Sequence, residues 1–392
     1  MTGNDLGAIM TDQEMSDALD AWEKKKESFS VPQNDIERVR LHYEGVAVWS
    51  NKHLTVTKIL SFFMFPITIL LFLRRKQIPF QKKADAVITC PNKSFLLKNE
   101  DIPDQLTERY ASFEHVFEDR PLKNRIFQLR LDKKGIALAL RIAFKYPFKP
   151  LIYYSVLLHL AQVYTIIQKY GPKAIITTQT EQDFSSSVVT QYCEMMGVKY
   201  ICVQHGEYCY NPSMAYVRFS EYYAWNKETV EILELTNTKI PYANIYTPSR
   251  LRKTCQKYPE RSYFLKYYLS SSDDMEEIGK IRDALAKFAS QGFACAVRCH
   301  PRGYTGRDLE KVFSNTGIAV EESRDKSIAA SISDCDYVVA YRSTVLSEAI
   351  ANEMPIVIDD ITHDIKILQR VHDINLSRAY CLLSELMDRV LR

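Results

Sequence analysis

The chain has 392 residues, 46% of them hydrophobic and 25% charged, with a formal net charge of +3. That length suits two domains better than one core, and the balance excludes a disordered chain or a bare repeat scaffold. So small a net charge gives no basis for general nucleic-acid affinity, and no nucleic-acid partner is expected.

Residues 1–53 read as a polar N-terminal region whose start, "MTGNDLGAIMTDQEMSDALDAWEKKKESFS", has no apolar core of a secretory signal. Next comes "ILSFFMFPITILLFLRRK", Ile59 to Lys76. Its uncharged part, Ile59 to Leu73, would rise roughly 22 Å as a helix, short of a hydrocarbon core of about 30 Å. Pro66 favours a kink, and Arg74, Arg75, Lys76, Lys82 and Lys83 form a basic cluster suited to an anionic leaflet. The segment is expected to be re-entrant or interfacial, the alternative being a buried core helix. "LRIAFKYPFKP", Leu140 to Pro150, alternates basic and aromatic side chains and offers a second such surface. Together they predict a cytoplasmic chain, peripheral or monotopic on the inner face of the cell membrane, with the membrane surface as a partner.

"ADAVITC" reads as a strand, and residues 92–134 show no clear division. From Pro150 the pattern sharpens. "LIYYSVLLHLAQVYTIIQKYG" has helical spacing and stops at Gly171; "KAIITT" is a strand; "SSSVVTQYCEMMG" is a serine-capped helix; "KYICVQHG" is a strand and its loop. A second series begins with the strand "YFLKYYLS", followed by a helix capped by Asp273 and the strand and loop "FACAVRCHPRG". The helix "RDLEKVFSNTG", the strand "DYVVAYRST", the helix "VLSEAIANE" and the strand "PIVIDD" complete it. "NTKIPYANIYTPSRLRK", Asn237 to Lys253, is expected as the linker. The predicted fold is α/β, with an acceptor-side domain over 54–250 and a donor-binding domain over 251–392, two Rossmann-like units facing each other across a cleft.

Nine cysteines without a CxxC pair (Cys90, Cys193, Cys202, Cys209, Cys255, Cys295, Cys299, Cys335, Cys381) fall mostly in apolar runs and suit reduced thiols. HExxH, a close Cys/His cluster, GxGxxG after the strand at Ala84 and GxxxxGK[ST] are all absent, so no metal, dehydrogenase or P-loop chemistry is indicated. "VRCHPRG" opens a loop after an apolar strand, and Arg298, His300 and Arg302, with Pro301 shaping the turn, could give donors to phosphate oxygens. In "YRSTVLSEAIANEMPIVIDD", Ser343 and Thr344 begin a helix whose N-terminus suits an anion, and Glu348 could accept from ribose hydroxyls; plain N-capping is the alternative. In "TTQTEQDFSSS" and "VQHGEYCYN", Glu181, Asp183 or His205 could take a proton from an acceptor hydroxyl, beside Gln204, Gly206 and Glu207 on the acceptor side. Gly206 is expected to allow a sharp turn; the alternative is that Asp183 only caps the next helix and His205 bonds locally.

"VQHGE", "RCHPRG" and "YRSTVLSEAIANEMPIVID" in this order resemble the GT-B glycosyltransferases of bacterial surface polysaccharides. The similar groups have an HP motif and a Ser/Thr motif: sialyl- and polysialyltransferases, Kdo transferases and CDP-glycerol glycerophosphotransferases. The resemblance spans roughly residues 170–360. It implies a metal-independent transferase moving a sugar or polyol phosphate from a nucleotide-activated donor, CMP-linked donors included. The acceptor it implies is a lipid-linked or growing polysaccharide of capsule, lipopolysaccharide or teichoic acid type, with no cofactor beyond the donor. It also implies that His300, Ser343 and Thr344 hold the donor phosphate, with Asp183 or Glu181 as base on the sialyltransferase pattern and His205 on the glycerophosphotransferase pattern. The acidic-acidic-glycine motif of sialyltransferases is not matched by "TEQDF". A nucleotide-sugar 2-epimerase and a non-catalytic assembly or export partner are the alternatives.

Overall fold

The computed structural model describes residues 12–50, 55–73, 78–90, 97–116, 129–178, 180–251, 261–271, 273–301 and 303–391. Arg74–Lys76, Cys255 and Arg302 lie outside them. The chain forms two compact units. The first contains Asp17–His205 and Asn211–Tyr246, and the second contains Ile9–Ser16, Gly206–Tyr210 and Thr247–Arg392.

The first unit is built on a six-stranded parallel sheet: β1 (Ala86–Thr89), β2 (Phe113–Val116), β3 (Ala174–Thr177), β4 (Lys199–Val203), β5 (Glu221–Ala224) and β6 (Ala243–Ile245), in the order β2-β1-β3-β4-β5-β6. Val87, Ile88, Ile175, Ile176 and Ile201 are wholly buried, as strands covered on both faces must be. β2 lies in the stretch that showed no pattern, and β6 lies in the expected linker, paired to β5 from Tyr222↔Ala243 onward. A three-residue strand flanked by prolines reads locally as a turn; its pairing comes from the neighbour strand.

Of the helices, α1 (Asp12–Lys26) opens the described chain, its first residues grouping with the second unit. Then come α2 (Asp35–Ser50), α3 (Thr55–Leu73), α4 (Asp104–Arg109), α5 (Lys133–Lys145), α6 (Pro150–Tyr170), α7 (Ser186–Met195) and α8 (Lys227–Leu235). Within the region expected to be merely polar, α2 packs on the turn at Pro212–Met214, so closely that a Cβ on Gly45 would lie 2.1 Å from the Pro212 carbonyl oxygen. α6 starts on Pro150 and ends at Gly171, whose φ of 53° satisfies the left-handed cap that glycine adopts without strain. α7 lacks the expected serine cap: Ser185 turns its hydroxyl to Asp183 instead.

The second unit carries β7 (Tyr263–Tyr268), β8 (Cys295–Arg298), β9 (Ala319–Glu321), β10 (Cys335–Ala340), β11 (Ile356–Ile358) and β12 (Cys381–Leu382), all parallel, in the order β12-β11-β10-β7-β8-β9. Counted from β7 this is 6-5-4-1-2-3, the dinucleotide-binding arrangement, with its switch point between β7 and β10. The helices are α9 (Met275–Ser290), α10 (Gly306–Val312), α11 (Ile328–Ser333), α12 (Thr344–Ala351), α13 (Ile365–Arg370), α14 (Ile374–Ser377) and α15 (Leu383–Val390). Asp274, not Asp273, caps α9, in a reciprocal box with Glu277. The two Rossmann-like α/β units expected from the sequence are therefore present.

Candidate functional site

In the second unit the loops that follow β8 and β10 leave the same edge of the sheet, on either side of β7. Both strands pair with β7, in registers Tyr268↔Arg298 and Tyr267↔Val339. Two strand spacings of about 4.8 Å set these loops about 10 Å apart. His300 stands half-buried in the first, its carbonyl accepting the Gly303 N–H at 3.0 Å in a turn through Pro301. Ser343 ends the second, extended at φ −157°, with Oγ accepting the Val345 N–H at the start of α12. Thr344 is the first helical residue, and Glu348 lies half-buried one turn on. The N-cap geometry and the anion-suited helix terminus are thus one feature: Ser343 Oγ accepts the Val345 N–H and its carbonyl accepts the Leu346 N–H at 3.1 Å, at the end of the helix that carries its partial positive charge.

Arg298 is placed differently from expectation. Its guanidinium is buried, bonded to Glu321 Oε1 and to the carbonyls of Ser323 and Lys326 at 2.9 and 2.8 Å. Lys266 of β7, also fully buried, reaches Glu321 Oε2 at 2.7 Å. Burial raises the Glu321 carboxyl, but Lys266, Ser331 and Arg298 outweigh it and hold the group below its ordinary value. Arg298 therefore fixes the ends of three neighbouring strands beneath the His300 loop. Only the register with β9 shows the carboxylate opposite.

The switch point itself is acidic. Asp273, after β7, accepts the Ser270 N–H at 2.7 Å, and burial, opposed by this bond and aided by Glu277 and Asp359, pushes its carboxyl up to about 7. His363 stacks on Tyr341 with ring centroids 4.0 Å apart, and its buried Nε2 lies 3.9 Å from Asp273 without a hydrogen bond. Asp359 takes the Tyr267 hydroxyl at 2.7 Å and the N–H groups of Ile361 and Thr362. Such a crevice suits hydroxyl and amine donors, and it leaves an anion to the His300 loop and the start of α12. Asp273 stood out in the sequence only as a helix cap, and Tyr341 and His363 were given no role; only the sheet order gathers the three.

Two segments distant in sequence complete this unit. Glu207 accepts the Ser347 hydroxyl on α12, and the Tyr210 N–H donates to the Val371 carbonyl. Gly206 does not have the positive φ a sharp turn would require, and a Cβ there would meet Thr344 Cγ2 at an ordinary 3.8 Å. Its absence of side chain is therefore not a steric necessity.

In the first unit the loop beyond β3, at the switch point between β1 and β3, holds the candidate bases. Glu181 is buried, with Oε1 accepting the Tyr222 hydroxyl at 2.8 Å. Gln204 is buried too, and its Oε1 accepts the Trp225 N–H at 2.6 Å, which ties the ends of β4 and β5. His205 is half-buried at the end of this unit's first segment. Asp183 Oδ1 takes the Ser185 N–H at 2.9 Å and its hydroxyl at 2.8 Å, while Oδ2 lies 3.1 Å from Nδ1 of His159.

His159 is the residue that sequence reasoning missed. It sits in α6, whose apolar spacing marks it as one more core position. The short connection to β3 makes the two antiparallel, and His159, about 16 Å back from the helix end, comes level with the loop beyond β3. Its Nδ1 is also 2.6 Å from Ser185 Oγ. Burial alone would lower its pKa, but the Asp183 carboxylate outweighs burial and raises it. Burial opposes the charge on Asp183 as well, and His159 outweighs it, bringing that carboxyl down to about 2. An ionised carboxylate only accepts, so Nδ1 carries the proton and the neutral ring's Nε2 keeps a lone pair. Among the described residues Nε2 makes no hydrogen bond.

The eight described cysteines are unpaired thiols, and no group of three or more potential ligands among the described residues could hold a metal ion. No family model and no curated sequence matches the chain. Solved structures with a related course of chain include UDP-GlcNAc 2-epimerase of Methanocaldococcus jannaschii, at 10% identity over 80% of this chain and 93% of that one, TM-score 0.45. The S. aureus MnaA–UDP structure aligns at 11% identity over 71% and 79%, TM-score 0.45. The glycotransferase of kitacinnamycin aligns at 9% identity over 80% and 89%, TM-score 0.42.

Proposed function

We propose that this protein is a metal-independent glycosyltransferase of GT-B type that moves a sugar or polyol phosphate from a nucleotide-activated donor to a hydroxyl of a lipid-linked or growing cell-surface polysaccharide. The observation that carries the reading is the strand order of the second unit, which brings the His300 loop and the Ser343-capped helix to one sheet edge on either side of β7. His300 and the N-terminus of α12 hold the donor phosphate and stabilise it as it leaves. Asp273 and Glu348 are acceptors for ribose or base donors nearby. Arg302 adds positive charge to the same loop by sequence. In the first unit His159 Nε2 removes the acceptor proton, and Asp183 holds the ring in the tautomer that leaves that nitrogen basic.

Thermal-shift measurements with CMP, CDP, UDP and GDP test the nucleotide site, because a ligand bound to the folded state alone raises Tm by mass action. One of them is expected to raise Tm by several degrees, and His300→Ala to reduce that shift at least tenfold in ligand concentration with the fold intact. Absence of a shift with all four would refute the reading. Conversion of a nucleotide sugar to its 2-epimer without an acceptor would establish the epimerase alternative.

A further inference from the structure

α3 is apolar on both its buried and its exposed face. Ser61, Phe65, Thr68 and Phe72, spaced four, three and four apart, form the buried stripe, and Phe65 packs edge-on against Tyr153 of α6 at 4.6 Å. On the outer face Ile59, Phe62, Phe63, Ile67, Leu70 and Leu73 are 49–63% exposed. Between Ile59 and Leu73 there is no charged residue. A surface helix ordinarily turns its polar side outward; this one presents a continuous apolar face much wider than a scattered exposed leucine would give.

α3 packs along α6, and both ends of α6 carry exposed aromatic and basic groups. Before its start stand Phe144 and Phe148, 83% and 94% exposed, with exposed Arg141 and Lys145 beside them. Against its end lies the segment of Phe80, Lys82 and Lys83: the Gln81 N–H donates to the Lys169 carbonyl at 2.9 Å, and Phe80 is 60% exposed. Lys145 pairs with Glu37 and Lys82 with Glu114, whereas Arg141 and Lys83 make no ion pair among the described residues. An apolar centre with aromatic and cationic groups at its margins matches the layering of an anionic lipid surface, acyl chains within and phosphates at the edge. A protein partner would instead call for hydrogen-bonding groups through the patch, at about one per 100–200 Å².

We propose that the outer face of α3 lies in the plane of an anionic lipid bilayer, with the Phe144–Phe148 and Phe80–Lys83 segments at headgroup level. The helix does not span. Its apolar stretch is too short, and its inner stripe is committed to α6; α6 itself, long and apolar enough to cross, is two-thirds buried within the unit. This deepens the transferase reading by naming the surface on which a lipid-linked acceptor would be met, and depends on that reading only for its purpose.

Flotation of the full-length protein with phosphatidylcholine vesicles, with and without about 30% phosphatidylglycerol, tests it. The protein is expected to float with the anionic vesicles. The triple variant Phe63→Ser, Ile67→Ser, Leu70→Ser should reduce the bound fraction at least tenfold with unchanged circular dichroism. Arg141→Glu with Lys83→Glu should reduce it several-fold. Independently of folding in the triple variant, a Phe63→Trp protein should show fluorescence quenching by lipids brominated on the acyl chain. Failure of the unmodified protein to float, undiminished flotation of the triple variant, or unquenched tryptophan would overturn the proposal. So would a concentration-dependent dimer that the triple variant abolishes, since that would assign the face to a second copy. Loss of nucleotide binding with flotation intact would sink the transferase reading and leave this one standing.

Discussion

At the scale of single residues, His159 and Asp183 illustrate how a pair can be silent in sequence and prominent in space. A histidine between leucines in a helix reads as core, and Asp183 reads as a base or a cap with no partner in view. Asp183 does support the start of α7, yet its other oxygen meets the imidazole. The lowered Asp183 carboxyl contributes stability above its unfolded value near 4 and loses it as pH falls toward 2. The raised His159 contributes below its unfolded value near 6.5 and loses it as pH rises beyond its folded one. The pair thus stabilises most between about pH 4 and 6.5, so Asp183→Asn should lower Tm more at pH 5 than at pH 9. In catalysis, His159→Ala should cost at least about 10² in rate. Asp183→Asn should cost less and move the acid limb of the kcat profile to lower pH, because a ring without its carboxylate loses its proton sooner; an unmoved limb would show that His159 is structural. Asp273 runs the opposite way to Asp183. With its folded value near 7, its proton stabilises the fold below about pH 4 and that contribution is lost as pH rises through 7. Asp273→Asn, which keeps an oxygen for the Ser270 N–H, should therefore melt higher than the parent at pH 8 and show little gain at pH 4.

At the scale of elements, the local code was mostly readable where the apolar run was long. α6 with Pro150 and Gly171 at its ends, β3, β4, β7, β8 and β10 all lie where periodicity and punctuation put them. What failed to show is what depends on a neighbour. β2 and β6 are edge strands of four and three residues with exposed or half-exposed side chains, and such strands leave no periodic trace. Arg298 failed as a candidate ligand for the same reason: Glu321 faces it by strand register, which no single segment encodes. That buried triad gives a sharp prediction. Glu321→Gln would leave Arg298 charged and buried without its counter-ion and Lys266 with only Asp334, at 3.7 Å, a loss of about 3–5 kcal/mol on denaturant unfolding. A loss below about 1 kcal/mol would mean that water reaches the three strand ends. His300 should then bind nucleotide less well too, since its loop stands on β8.

At the scale of the whole molecule, two parallel sheets of different strand order, each with its own buried strands, belong to two compact units. Calorimetry is expected to resolve two transitions. A saturating nucleotide, at roughly 100 times its Kd, should raise the one belonging to the second unit by roughly 6–10 °C, the equivalent of about 2.7 kcal/mol. The other transition should stay within about a degree. Displacement of both by the same amount would show that nucleotide contacts are not confined to the second sheet.

The second unit is also discontinuous along the chain, and that bears on anyone who would dissect this protein. Cutting before Thr247, where the last segment of the second unit begins, or at the 250/251 boundary expected from the sequence, discards Glu207 from the Ser347 hydroxyl, Asp12 from the Tyr341 hydroxyl and Tyr210 from the Val371 carbonyl. The first two losses fall on α12 and its preceding loop, where the donor phosphate is proposed to rest. An isolated C-terminal fragment could thus fold and still grip its nucleotide poorly, a false negative produced by the scissors and not by the site.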